Sequence, residues 1–338
     1  MSIVGVTGIR PSPGGLHLGH YIGNISPVIS GTDQNQDIYF ILGDLHLLSG
    51  TDGLFSVKNE LNSSVFDMMA DAIACGVDPN RIAFCLQSQL STNLMPMFLL
   101  LGSLVTFPRI QRLPAVKALL SNDLSKISLS ALNFPLVEVV DLLAFRANIA
   151  YANIDNKPFI ELTNELVRRF NRHFGYFFPE LCLVNGIIPL LVGIDGNKMS
   201  KTKGNCIFIC DDTLTVKKKV MKMFTDPSRI RADISGNTDT NPVFIYHRAF
   251  NPNKPEINDI EVLYRSGKIG DVAVKEKLFV VLESIISPIR ERARYIRSNE
   301  SELKDILHTG ISKSERQIQA TMSSFLEITG FSQRENKG

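Results

Sequence analysis

A chain of 338 residues with 44% hydrophobic content can close one large core or two modest ones. Its 36 lysines and arginines nearly balance 34 acids, and a net charge of +2 excludes a uniformly basic surface, leaving any nucleic-acid contact to local patches. Five cysteines without paired metal spacing, no secretory leader and no apolar run long enough to cross a bilayer argue against a zinc module and a membrane protein, and point to a reducing cytoplasm.

Residues 3–7 read as an apolar strand that runs into Thr7-Gly8-Ile9-Arg10-Pro11-Ser12-Pro13-Gly14-Gly15, with a helix opening near Leu16. Strand, glycine-rich turn and helix N-terminus allow a phosphate to approach the backbone closely. On that helix His17 and His20 are three apart and share a face, with Gly19 leaving room for a flat ring between them. Imidazoles can donate to phosphate oxygens without a fixed charge. Two surface histidines at a helix start are the plainer alternative.

Further strands are expected at 37–42 and 81–87, ending near Asp44 and Gln87, and at 187–192. Strands alternating with helical patterns imply a parallel sheet, whose ligands sit at the carboxyl ends of the strands. A helix beginning after Pro135 puts Glu138 and Asp141 on one face among Val137, Val139, Val140, Leu142 and Leu143. Burial there is costly for two carboxylates unless they are partnered. Lys198-Met199-Ser200-Lys201-Thr202-Lys203-Gly204-Asn205 gathers ammonium groups and hydroxyls on a loop bracketed by Gly193, Gly196 and Gly204. Such a loop can close on a pyrophosphate that gains charge as it departs. Cys206 and Cys210 are read as one strand passing through the core. Beyond about residue 212 the pattern is almost wholly helical, with basic clusters at 217–222, at Arg229 and Arg231, and at Arg290, Arg292, Arg294 and Arg297. Solvated charge competes there with phosphate contact.

The paired motifs, Leu16-His17-Leu18-Gly19-His20 and Lys198-Met199-Ser200-Lys201-Thr202, resemble the HIGH and KMSKS signatures of class I aminoacyl-tRNA synthetases. Within that class the chain resembles the tryptophanyl-tRNA synthetases nearly end to end. The likeness runs through Asp44-Leu45-His46, Gln87-Ser88-Gln89, the segments 104–117 and 134–141, Leu162 to Asn171, Thr225 to Arg231, Asn241 to Phe244 and Pro288 to Arg292.

The resemblance implies an α/β fold: a Rossmann-like doubly wound parallel sheet in a catalytic domain, 1–211, followed by a helical anticodon-binding domain, 212–338. It also implies a connective insertion at about 90–135 that builds a dimer interface, and a KMSK loop at 198–202. The activity implied is a tryptophan–tRNA ligase acting on ATP with Mg²⁺ as a substrate complex, tryptophan and tRNA(Trp), with no protein-bound metal, DNA or membrane partner. By the resemblance His17, His20, Lys198 and Lys201 are catalytic. Arg10, Ser12, Gly19, Asn24, Asp155, Met199 and Ser200 join His20 on ATP, and Gly8, Asp44, Gln87, Phe134, Glu138, Asp141 and Asn156 contact the amino acid. Asp141 would accept the indole N–H, which can only donate.

Three positions depart from the family pattern around one ligand. Phe134 stands for tyrosine, Glu138 for glutamine and Asn156 for a longer glutamine; Thr202 replaces the last serine of KMSKS and keeps its hydroxyl. Either Glu138 takes over the contact to the substrate ammonium, or the pocket is retuned for another amino acid or analogue. A non-catalytic tRNA-binding paralogue, a small nucleotidyltransferase and an adenylate-forming enzyme with another acceptor complete the alternatives. Retained histidines and loop lysines argue against the first of these, and the separate lysine loop and helical half against the second.

Overall fold

The computed structural model describes residues 3–32, 36–49, 53–90, 93–121, 127–186, 188, 190–201, 203–225, 229, 231 and 233–332. Thr202, Ile187, Ile230 and 226–228 therefore lie outside the described residues. Five strands form one parallel sheet: β1 Val4–Ile9, β2 Asp37–Leu42, β3 Ile82–Leu86, β4 Ile149–Tyr151 and β5 Cys182–Val184, in the order β3-β2-β1-β4-β5. From β1 the chain winds outward through β2 and β3, then returns to the other side for β4 and β5. The switch in direction lies beside β1, where ligands of open α/β sheets bind.

After β1 come α1 Leu18–His20, a π turn at Tyr21–Ile25 and α2 Ser26–Thr32. A 3-10 turn at Leu45–Ser49 and α3 Gly53–Ala74 link β2 to β3. The connective segment is helical, with α4 Gln87–Leu90, α5 Met95–Ser103, α6 Phe107–Gln111 and α7 Pro114–Leu120. The helices α8 Leu129–Ala144 and α9 Lys157–Phe174 flank β4. The late half is helical as its pattern predicts: α10 Thr213–Met221, α11 Pro242–Phe250, α12 Lys254–Arg265, α13 Asp271–Arg297 and α14 Glu300–Thr329.

Side-chain alternation divides the core in two. On β2, Ile38, Phe40 and Leu42 enter one cluster and Tyr39 and Ile41 the other. The C-terminal helices share both. Leu278, Leu282, Leu303 and Leu307 belong to the first core, and Ile318, Met322 and Phe325 to the second. The turn to helical pattern at residue 212 is therefore no change of core. Helix α14 lies so close to β3 that a Cβ on Gly310 would stand 2.0 Å from the Phe84 carbonyl oxygen.

Three local expectations are corrected. Between 187 and 192 the only pairing among described residues is a single antiparallel bridge from Val192 to Lys198, and the fifth strand is instead Cys182–Val184. The segment from Cys206 to Cys210 is no sheet strand; it makes one bridge, Phe208 to His17, with hydrogen bonds at Leu18 and Ile209. The helix expected after Pro135 starts at Leu129, where the Ser128 hydroxyl accepts the Ala131 amide at 3.1 Å. That cap begins the helix, and Pro135 only removes one interior amide from it.

Candidate active site

The carboxyl end of β1 leads into the floor of the site. Gly14 and Gly15, with φ of 86° and 70°, reverse the chain in a conformation that glycine adopts without steric cost. Asp71 of α3 accepts the Leu16 amide at 2.8 Å. The helix opens at Leu18, two residues later than the pattern predicts, because His17 serves as its cap. His17 Nδ1 accepts the His20 amide at 3.2 Å, and His20 Nδ1 accepts the His17 amide at 3.4 Å. Their rings stack with centroids 3.6 Å apart. Burial, then the Lys201 charge, pushes His17 down to about 3, and burial with both neighbours also depresses His20. With Nδ1 accepting on each neutral ring, the proton belongs on Nε2, giving two adjacent uncharged donors.

A cavity of about 250 Å³ opens above this turn, lined by His17, Gly19, His20, Arg10, Asn24, Lys198 and Met199 among others. Asn24, buried on the π turn, donates to Thr7 Oγ1 at 3.3 Å and to the Tyr151 carbonyl at 3.4 Å. Single π turns inside helices recur at functional sites, where they re-aim a side chain. Asn153, absent from the sequence expectations, lines the same cavity and donates to Asn24 Oδ1 at 3.5 Å.

The lysine loop lies over the cavity. Buried Asn205 organises it, accepting the Ser200 amide at 2.7 Å while its Nδ2 donates to Asp195 at 2.9 Å and to the Lys198 carbonyl at 3.2 Å. Lys198 pairs with Asp155 at 2.8 Å. Lys201 turns away from the cavity and donates to Ser12 Oγ at 2.7 Å and to the Gly15 carbonyl at 2.6 Å. Burial pulls its pKa down to about 8. Lys201 and Ser12 thus close the loop onto the turn rather than line the cavity, and Ser200, bonded within the loop to Asn205, does not line it either.

A second cavity of about 720 Å³ adjoins the first, with Phe134, Glu138, Asp141, His46 and Phe159 on its wall. The two cavities share Gly8, Ile9, Arg10, Asp155, Asn156 and Lys198. Asp44 and Gln87 line neither; they stand behind the wall. Asp44 Oδ1 accepts the Ser88 amide at 2.8 Å, and Gln87 Nε2 donates to Asp141 Oδ2 at 2.5 Å. His46 Nε2 approaches the same carboxylate at 3.5 Å. Burial works against a charged His46, yet the Asp141 hydrogen bond and the charges of Asp141 and Glu138 prevail and raise its pKa. Burial raises Asp141 despite its two partners. Glu138, with no hydrogen-bond donor among the described residues, is pushed up to about 7 by burial, with His46 opposing and Asp141 and Asp155 adding to the shift. His46 is visible in the sequence only as the end of Asp44-Leu45-His46; its part in the wall follows from the 3-10 turn that carries it.

The late basic residues are mostly committed inside the fold. Arg229 is buried, stacks on Tyr264 and bonds Asp271 at 3.0 Å. Arg290 donates to the Asp211 carbonyl and Glu283, each at 2.6 Å, and Arg292 to the Ala74 carbonyl at 2.9 Å. These arginines are structural anchors rather than open phosphate contacts. Among the described residues, no helix is long and apolar enough to cross a membrane, and no group of three or more His, Cys, Asp or Glu could hold a metal ion.

A family model described as tRNA synthetases class I (W and Y) matches residues 2–287. The tryptophan–tRNA ligase of Borreliella burgdorferi is 38% identical over 335 residues, covering 98% of this chain and 94% of the relative. That of Treponema pallidum is 38% identical over 331 residues, 97% of each chain. In fold, the tryptophanyl-tRNA synthetase of Mycoplasma pneumoniae superposes with a TM-score of 0.83 at 20% identity, covering 100% of both chains. The Campylobacter jejuni tryptophanyl-tRNA synthetase complexed with ADP and tryptophan gives 0.77 at 22% identity, covering 97% of this chain and all of that one.

Proposed function

The chain belongs to the class I tRNA synthetases of the W and Y group, and from that membership we propose that it joins tryptophan to tRNA(Trp) in two ATP-driven steps. The observation that carries the reading is the wall common to both cavities. A nucleotide in the smaller cavity and an amino acid in the larger would meet along Gly8, Arg10, Asp155, Asn156 and Lys198. Holding two reactants in attacking geometry is itself a large part of such catalysis.

In the first step the tryptophan carboxylate attacks the α-phosphorus of ATP and pyrophosphate departs. The Nε2–H groups of His17 and His20 donate to the triphosphate, and Gly19 leaves space for the adenine. Arg10 and Lys198 meet the charge that grows on the phosphates, which is where fixed donors accelerate the reaction most. Lys201 keeps the loop and the turn together through Ser12 and the Gly15 carbonyl. Mg²⁺ enters as part of the ATP substrate. Asp141, oriented by Gln87 and His46, accepts the indole N–H, and Glu138 receives the ammonium in a charge-assisted bond. In the second step a hydroxyl of the terminal adenosine of tRNA attacks the carbonyl of the aminoacyl-adenylate, forming the ester as the anhydride bond breaks and AMP leaves.

The helical half would reach the anticodon. The connective helices would pair two copies of the chain, for they expose Met95 (61%), Leu99 (63%) and Phe107 (54%). A cytoplasmic location follows from the reaction. Charging of bulk tRNA with labelled tryptophan tests the reading: ATP-dependent, acid-precipitable label is the expected result, and its absence with active tRNA overturns it.

A further inference from the structure

The turn that carries the two histidines is gripped from a second side, away from both cavities. Asp71 on α3 is 0% exposed. Its Oδ2 accepts the Leu16 amide at 2.8 Å, while its Oδ1 accepts the Cys210 thiol at 3.1 Å and the Arg297 guanidinium. Arg297 is the last residue of α13, so this contact joins the helical half of the chain directly to the turn. Its guanidinium also lies 2.7 Å from Asp67. The fit leaves no slack, since a Cβ on Gly15 would stand 2.2 Å from Asp71 Oδ2. From the opposite side Lys201 holds the Gly15 carbonyl.

Burying the Asp71 carboxylate against Arg297, whose own side chain is 28% exposed, is a poor way to gain stability, because apolar residues of similar volume fill such a space without the desolvation cost. Burial raises the Asp71 pKa even beside Arg297, which marks that cost here. What the pair provides and packing cannot is direction: one carboxylate oxygen aimed at one amide, with the carboxylate held charged by the guanidinium.

We infer that Asp71 and Arg297 are positioning residues for ATP, fixing the Leu16 amide so that α13 sets the geometry of His17 and His20. The inference rests on the synthetase reading, and it predicts a split between the two substrates. Asp71 lines neither cavity and acts through the Leu16 amide on His17 and His20, which line only the smaller one, so disturbing it should leave the amino acid unaffected.

The test is ATP–pyrophosphate exchange by the full chain carrying Arg297→Gln or Arg297→Lys, with KM for ATP and for tryptophan measured separately. Arg297→Gln should raise KM for ATP by about 5- to 150-fold, the usual range for coupling between sites, with KM for tryptophan unchanged. Arg297→Lys keeps the charge but cannot span both aspartates, and should give a smaller rise in the same parameter. Should Arg297→Gln fail to fold, the lysine variant alone decides. An unchanged KM for ATP, or equal rises for both substrates, overturns the inference. Hydrogen–deuterium exchange of residues 12–16 needs no substrate and separates this inference from the synthetase reading. Faster exchange at Leu16 in the variants supports the contact even if the wild type forms no adenylate, and unchanged protection refutes it.

Discussion

Glu138 and Asp141 stand one helical turn apart on α8, yet among the described residues only Asp141 has hydrogen-bonding side-chain partners, Gln87 and His46. Glu138 faces the cavity with its carboxyl pushed up to about 7, chiefly by burial. The raised value fixes the sign of two effects. In the empty protein, the stability contributed by protonated Glu138 is complete below the carboxyl's unfolded pKa and is lost as pH rises through about 7. In binding, the ionised form is the one that attracts an ammonium, so KM for tryptophan should rise as pH falls through about 7. Glu138→Gln should flatten that dependence while leaving KM for ATP unchanged. Exchange kinetics between pH 6 and 8 check this, and parallel profiles for both proteins would place the ammonium elsewhere. The pair's shared face was legible in the sequence from its three-residue spacing, and its burial from its apolar neighbours. Which of the two would be left without a partner was not, since Gln87 and His46 come from other strand ends and no spacing along α8 reveals them.

At the scale of elements, strands with a five- or six-residue apolar run were read nearly in place, whereas the three-residue strands and the start of α8 were not. Strand β2 matches its predicted limits because six residues of an apolar, β-rich run carry their own signal. Strands β4 and β5 have three residues each, too few for a period, and exist because neighbouring strands pair with them. The contact of α14 with β3 is equally invisible from sequence, although Gly310 marks it once the fold is known. On an exposed helix Gly→Ala stabilises by up to about 1 kcal/mol. Here the new methyl would meet the Phe84 backbone, so Gly310→Ala should destabilise by about 1–3 kcal/mol, as overpacking does. Urea unfolding distinguishes the two by sign. A gain in stability would mean that α14 sits farther from the sheet.

Over the whole molecule, the two distant motifs do meet: the lysine loop lies on the histidine turn, joined through Lys201 to Ser12 and Gly15. Their pairing was legible because the two signatures occur together, as they do in the class I synthetases that the chain resembles. The roles of the late arginines were not legible. Arg229, Arg290 and Arg297 resemble any basic surface cluster until the fold shows them bonded to Asp271, Glu283 and Asp71. Both cores draw apolar side chains from the helical half, so a boundary placed by secondary structure alone does not separate two cores. In the proposed reaction the adjoining cavities bring one amino acid, tryptophan, to the α-phosphate of ATP. Amino-acid-dependent ATP–pyrophosphate exchange, run with each of the standard amino acids and with indole analogues, tests it most directly. Exchange that depends on tryptophan and on no other standard amino acid is the predicted result. Exchange with a different amino acid, or with none, would contradict it.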